Sequence, residues 1–420
     1  MNYRNLFIGV DEYVLLSTGN YVIPVNFDNA TTTPPLVSVV NEINTNLRYY
    51  SGLGRSSGQK ALYSTYKFET ARNDILHFFH LKSTGDHTVV YVKSTTEGIN
   101  LLAQVLTQDS NEVILSTRME HHANDLPWRY YGNKVDYVEI NKNGRLPLQA
   151  LENKLIHYNG RVNYVTVTGA SNVTGYVNDI HKIARLCHQY GAKIIIDAAQ
   201  LVAHHEINMA GNSPEEQIDF LVFSSHKAYA PFGGGAVVGL KKVLDNVDPF
   251  LKGGSAVNQV FDYTETWSDA PERLEAGTQN YFGMIALAAA LKELKRIGFN
   301  TIVHHENQLK DYLIQNMIQM PHIQLYGDNQ DTSDKLGIIV FNIYKRNHEE
   351  VAENLARYFG VATRNGKFCA HPYVTRLLGV NNTPENRKEQ GECGMVRLSL
   401  GLYNTMEEAY RFLNILNHLK

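Results

Sequence analysis

A chain of 420 residues is too long for one small core, and 43% hydrophobic with 10% aromatic content is that of a folded globular protein, so one large and one small domain are expected. Its 39 basic and 42 acidic residues are interspersed, for a net charge of −3, with neither a basic tail nor a basic stripe, which argues against nucleic acid or an anionic membrane surface as partner. Three cysteines, Cys187, Cys369 and Cys393, are too few and too scattered for a disulfide framework or a zinc knuckle, and they fit a reducing compartment.

The N-terminal stretch MNYRNLFIGVDEYVLL is interrupted by Asp11 and Glu12 and makes a poor signal peptide. The longest near-apolar run, FGMIALAAAL at 282–291, is far short of the roughly 20 residues of a membrane span. A soluble cytoplasmic protein is expected.

Along the chain, short β-rich runs alternate with helical patterns. TVVYVK (88–93) precedes a helix whose Ile99, Leu102, Ala103 and Leu106 share a face, and EVILST (112–117) is a second strand. VNYVTVTGAS (162–171) leads into a helix with the stripe Ile180, Ile183, Ala184 and Cys187, capped by Asp179 and ended by Gly191. AKIIIDAAQ (192–200), IDFLVFSSH (218–226) and GAVVGL (235–240) follow. These strands are nearly continuous β-branched runs, which implies burial on both faces. The fold class is therefore α/β, a mostly parallel sheet flanked by helices. Beyond a long helix at 283–297, helical 301–318, HIQLYG (322–327), KLGIIVFNIY (335–344), helical 348–359, a Gly- and Asn-rich loop, MVRLSLGLY (395–403) and a closing helix make a smaller α+β domain. The large domain is placed at 26–290, and residues 1–25 and 291–420 are assigned to the small one.

In an open α/β sheet ligands sit at the carboxyl ends of the strands, and the residues there are chemically unusual. STTEG (94–98) opens a helix, where Thr95 and Thr96 are either an N-cap or part of a phosphate cradle. RMEHHANDLPW (118–128) offers adjacent histidines. HExxH is absent and the pairs at 204–205 and 304–305 lack ligand spacing, so no metal is expected, and a flat imidazole of the 121–122 pair covering a planar ligand is the alternative. Asp197 ends an apolar strand, either as a cap or facing a cationic ring nitrogen, because a buried unpaired carboxylate is costly. Asn172 sits at the end of GASN. Lys227 follows SSH at another strand end, either a loop lysine or an amine made nucleophilic by desolvation. Together, phosphate cradle, planar cover, carboxylate and lysine describe a site for pyridoxal 5′-phosphate (PLP).

The ordered motifs TTEGIN, EHHAN…PW, SNVTG, IIIDAAQ, SSHKAYAP and EAGTQN resemble those of the class V (fold-type I) PLP enzymes, in the branch of the cysteine desulfurases and selenocysteine lyases. The resemblance runs from FDNATTTPP (27–35) to VRLSLGLYNTMEEAYRFL (396–413) and implies that the mostly parallel sheet has seven strands. It implies that Lys227 bonds the coenzyme as a Schiff base, Asp197 pairs the pyridine nitrogen, Gln200 reaches the ring hydroxyl and His121 stacks on the ring. It assigns the phosphate to Thr95, Thr96, Ser225 and His226, and to Thr278 reaching from the neighbouring subunit of a homodimer. It places Asn172 and Arg397 on the substrate carboxylate, where a guanidinium fork fits.

Of the cysteines, Cys187 lies on an apolar helix face and reads as core, and Cys393 in GECGMV reads as structural. Cys369, in TRNGKFCAHPY, has Arg364 and Lys367 nearby, the electropositive setting a thiolate needs. Arg364, Gly366, Cys369 and Ala370 match the Arg-x-Gly-x-x-Cys-Ala spacing of the desulfurase branch. The implied reaction converts L-cysteine to L-alanine, with Lys227 removing the Cα proton and Cys369 taking the sulfur as a persulfide. Selenocysteine enters as a second substrate, and a sulfur-acceptor protein as a partner. Two features depart from the branch: Lys367-Phe368 before the cysteine, and a lengthened loop at 379–394. Other class V reactions on such a site are C–S β-elimination, epimerisation and transamination, and a non-catalytic scaffold of the same fold is a further alternative.

Overall fold

The computed structural model describes residues 3–54, 57–107, 112–386, 388 and 393–419. Residues 387 and 389–392, within the expected long loop at 379–394, lie outside the described residues.

Seven strands form the central sheet, in the spatial order His87–Val92, Gly235–Leu240, Phe220–Ser224, Lys193–Asp197, Val162–Thr168, Val113–Thr117, Lys134–Val138. All are parallel except Gly235–Leu240, which runs antiparallel to both neighbours. The β-branched runs behave as a two-faced buried sheet should. Val89, Tyr91, Ile194, Ile196, Leu221 and Phe223 pack into one apolar cluster, while the intervening Val90, Val92, Ile195, Phe220 and Val222 pack into another on the opposite face. Each such side chain, fully buried, contributes about 1.5–3 kcal/mol.

Helices Val37–Leu47, Gln59–Phe78, Ile180–Gln189 and Tyr281–Ile297 cover the first face, and Thr95–Leu106 covers the second. Helix Ile180–Gln189 begins at Asp179, whose carboxylate accepts from the Lys182 N–H at 3.1 Å, and Gly191 follows with φ +78°.

A second, antiparallel sheet has the order Ile323–Leu325, Ile338–Ile343, Met395–Ser399, Arg364–Gly366. It packs on helices Phe299–Ile318, His348–Phe359 and Met406–His418 through Leu309, Leu313, Val351, Leu355 and Phe412. Thr405 and Glu408 form a capping box at the start of the last helix. Val361–Ala362 pairs in parallel with Val25–Asn26, and helix Tyr281–Ile297 runs through the expected boundary at 290.

Three expectations change in detail. The runs expected at 162–171, 192–200 and 218–226 stop as strands at Thr168, Asp197 and Ser224, because the chain turns there to present polar groups. The edge strand Lys134–Val138 has no continuous apolar run to betray it, since only Val138 is buried. The segment read as one loop after 359 contains strand Arg364–Gly366 and helix His371–Leu378. Among the described residues, no helix is long and apolar enough to cross a membrane.

Candidate active site

A cavity of about 370 Å³ opens at the carboxyl ends of the parallel strands. Lys227 enters it from a single turn of 3-10 helix, Ser225–Lys227, directly after strand Phe220–Ser224. The amine is buried, and burial lowers its pKa below the ordinary lysine value; Asp197 works in the opposite direction. Asp197, the last residue of its strand, accepts from the Ala199 N–H at 2.9 Å. Burial raises its pKa, against the pull of Lys227. Amine and carboxyl thus face one enclosed space.

On one wall, Ser94 caps helix Thr95–Leu106 by accepting from the Glu97 N–H, so neither Thr95 nor Thr96 is the cap. The Thr95 N–H donates to Ser224 Oγ at 2.7 Å, and the Thr95 hydroxyl meets the same oxygen. The Thr96 N–H is left without a partner among the described residues, at the positive end of the helix dipole. Gly98 lets this helix sit on the sheet, for a Cβ there would lie 2.6 Å from Val222 and 2.9 Å from Val237.

His121 lines the cavity with a neutral imidazole. Its Nδ1 accepts from the Ala123 N–H at 3.0 Å, and its pKa is lowered to about 3 by burial first, then by Lys227. Beneath it, the buried Glu120 takes bonds from Thr117 Oγ1 (2.6 Å), Asn124 Nδ2 (2.7 Å) and the Thr168 N–H (3.1 Å), and burial pushes its pKa up to about 8. Gln200 lines the cavity and donates to the Ala30 carbonyl at 2.8 Å.

Opposite lies Arg397, buried within strand Met395–Ser399. Nη1 donates to the Asn172 carbonyl (2.9 Å), while Nη2 donates to Asp28 Oδ1 and Thr31 Oγ1 (3.0 Å each). Its Nε is buried without a partner among the described residues. Arg364 lies directly opposite Arg397 on the neighbouring strand and lines the same cavity. Like charges so placed repel unless an anion joins them.

Cys369 lines the cavity from the turn after Arg364–Gly366. Its carbonyl accepts from the His122 N–H at 2.6 Å, and the His371 N–H donates to His122 Nε2 at 3.3 Å. Cys369 also lines an outer groove with Leu126, Pro127 and Tyr130, so it stands between the interior and the surface.

The cavity therefore gathers Lys227, Cys369, His121, Thr95, Thr96, Asp197, Gln200, His226, Asn172, Arg364 and Arg397. Ser225 is off it: its hydroxyl accepts from the Gly234 N–H, and Ser224 takes the place on the wall. The two serines differ because the strand ends between them. Thr278 is exposed and lines two other pockets. Cys187 is fully buried in the core and Cys393 is half-buried. Glu120, Asp28, Thr31, Ser224 and Phe368 are the residues that sequence reasoning did not single out for the site. Glu120, Asp28, Thr31 and Ser224 stand inside motifs already quoted, EHHAN, FDNATTTPP and SSHKAYAP, and adjacency to those residues was the available signal.

The Aminotransferase class-V family matches the sequence over residues 25–412. The chain belongs to that family. Cysteine desulfurases of Escherichia coli O8 (strain IAI1) and of Shigella flexneri are each 33% identical to it over 378 residues, 88% of this chain and 86% of theirs. Among solved structures, the apo cysteine desulfurase from Thermococcus onnurineus NA1 superposes with a TM-score of 0.83, at 28% identity, covering 94% of both chains. The Escherichia coli cysteine desulfurase CsdA, in its S-sulfonic acid form, gives 0.81 at 26% identity, covering 99% of this chain and 97% of that one.

The class-V family is PLP-dependent. The donor set here fits that coenzyme. A buried amine faces a buried carboxyl, a helix N-terminus with an uncommitted N–H lies on one wall, and a neutral imidazole lies on another. The volume suits a small cofactor with an amino acid beside it.

Proposed function

We propose that the protein is a PLP-dependent cysteine desulfurase, converting L-cysteine to L-alanine and passing the sulfur to Cys369. The observation that carries this reading is the presence of Cys369 in the cavity that also holds Lys227 and Arg397. The names of the relatives support it.

Held by Lys227, Asp197, Gln200, His121, Thr95, Thr96 and His226, the coenzyme supplies an electron sink for the charge left when the substrate Cα loses its proton. Arg397 and Asn172 grip the substrate carboxylate, with Arg364 beside them. The amine of Lys227, whose pKa burial lowers, carries the Cα proton. The Cys369 thiolate attacks the substrate sulfur as the carbon–sulfur bond breaks. Carbon takes a proton, and the sulfur stays on the enzyme as a persulfide, so atoms and electrons balance.

From the outer groove the persulfide is open to a sulfur-acceptor protein in the cytoplasm. A homodimer belongs to the same reading. Leu251, Val260, Phe261 and Tyr263, all exposed, lie on the segment that leads to the exposed Thr278, which is assigned to the neighbouring subunit's phosphate. Sedimentation should give twice the chain mass, and a monomer at micromolar concentration contradicts the shared site.

The desulfurase reading is tested with L-cysteine. Alanine should form in amounts matching the sulfur released, and Cys369→Ala should lose at least about 100-fold in rate, as expected when a nucleophile is removed. Pyruvate and ammonia with an unimpaired Cys369→Ala variant identify a β-lyase, and racemised substrate without sulfur release identifies an epimerase.

A further inference from the structure

Phe368, the residue before Cys369, is enclosed by side chains from both sheet regions. Phe368 is buried at 7% exposure among Met119 and Val173 of the large-sheet region and Val340, Tyr373 and Met395 of the small-sheet region. Its ring lies against the guanidinium of Arg397, 5.0 Å from centroid to Cζ, within the range of a cation–π contact. Its carbonyl accepts from Asn172 Nδ2 at 2.7 Å, and the Asn172 carbonyl in turn accepts from Arg397 Nη1 at 2.9 Å.

Arg397, Asn172 and Phe368 therefore close a ring of three contacts, and Cys369 is the next residue along the chain. Phe368 and Cys369 hold φ of +52° and +54°, a left-handed conformation that side-chain-bearing residues keep only where their surroundings fix it. The guanidinium is covered on its face by Phe368 and committed at Nη1 and Nη2, while the buried Nε has no partner among the described residues. A carboxylate that pairs with Arg397 draws on a group whose position also sets Phe368.

We propose that Phe368 is a positioning residue that couples occupancy of Arg397 by a substrate carboxylate to the placement of the Cys369 thiol. The inference rests on the reading of Arg397 as the carboxylate anchor. A phenyl ring serves here and an aliphatic side chain of similar size does not, because only the ring's π-face attracts the guanidinium. In physical terms, the coupling makes the thiol take its place when an amino acid is bound.

The test uses the PLP-loaded enzyme with L-alanine as an unreactive carboxylate probe. Binding is read from the coenzyme absorbance, and the alkylation rate of Cys369 by iodoacetamide is read by peptide mass spectrometry, which separates it from Cys393. In the parent, saturating L-alanine should change the Cys369 rate by about threefold or more. Phe368→Leu should weaken L-alanine binding about tenfold and abolish the change in rate, and Phe368→Tyr should restore both. Phe368→Met carries the same comparison if the Leu variant does not fold by circular dichroism. The proposal is overturned if the aliphatic variant binds L-alanine within about twofold of the parent and keeps the alkylation response, or if the parent does not bind L-alanine. Failure of the desulfurase reading would look different: no alanine from L-cysteine, with binding and alkylation behaving as described.

Discussion

Neutral imidazoles at positions 121 and 226 define how the site carries charge. Burial is the main cause at both, lowering His121 to about 3 and His226 to about 4, with the amine of Lys227 acting in the same direction. With folded values below the ordinary 6.5, the unfolded chain takes up protons that the folded one refuses as pH falls below 6.5. These two residues therefore weaken folding on the acid side and contribute nothing of this kind above it. Nitrogen NMR should show His121 as a neutral ring, protonated at Nε2, across about pH 5–8, and a protonation midpoint inside that window contradicts the structure. Much of the site at this scale was legible, because Asp197 closes its strand and Lys227, His121 and Asn172 follow strand ends, where packing alone does not call for such residues. The choice between Ser224 and Ser225 was not, since it depends on the residue at which the strand gives way to a 3-10 turn. Phe368 could be seen only as a departure, because its partner Arg397 is remote in sequence.

Helix Thr95–Leu106 shows how an element can be both structural and chemical. Its apolar face packs on Val92, Val222 and Val237, and its first turn leaves the Thr96 N–H uncommitted at the cavity wall. Gly98 is where the two demands meet. Its φ is ordinary for a helix, so space rather than backbone freedom requires it. A methyl there would meet Val222 Cγ1 at 2.6 Å and Val237 Cγ2 at 2.9 Å, both on β-branched side chains held in the sheet. Gly98→Ala should therefore push the helix off the sheet, costing about 1–3 kcal/mol of stability by overpacking. It should also loosen the coenzyme, because the helix N-terminus moves with it. Denaturant unfolding of the apoprotein and dialysis of the loaded protein check the two effects separately, and a fully stable variant that retains the coenzyme refutes the argument. The helix itself was legible from Ile99, Leu102, Ala103 and Leu106. The edge strand Lys134–Val138 and the short strand Arg364–Gly366 were not, as neither is both apolar and long. Their pairing partners, rather than their own composition, make them strands.

At the scale of the molecule, the question is what ties the two sheet regions together around the cavity. The alternation of buried runs and helical stripes made the α/β architecture readable, and the texture change after the long helix announced a second sheet. One ionic tie between them, separate from Arg397 and Asp28, gave no sequence signal. His204, just beyond strand Lys193–Asp197, meets Glu306 of helix Phe299–Ile318 with Nδ1 and Oε2 2.8 Å apart, both side chains largely buried. The other oxygen of Glu306 accepts from the Gly337 N–H, next to strand Ile338–Ile343. His205 and Lys310 also face the pair, and burial lowers the pKa of each. At both members of the pair burial is the largest influence and opposes charge. Their mutual attraction outweighs it, raising His204 above 6.5 and lowering Glu306 below 4.5. The signs fix a window. The contribution from His204 is full below 6.5 and is lost as pH rises through its folded value, while that from Glu306 is full above 4.5 and is lost as pH falls through its folded value. The tie is therefore strongest between 4.5 and 6.5. His204→Gln, which retains a polar side chain without the charge, should cost about 1–3 kcal/mol near pH 5.5 in urea unfolding. That penalty should shrink as the pH is raised, because the parent loses the ion pair that the variant never had. A penalty that is flat or grows with pH would mean that the pair is not charged in the folded protein.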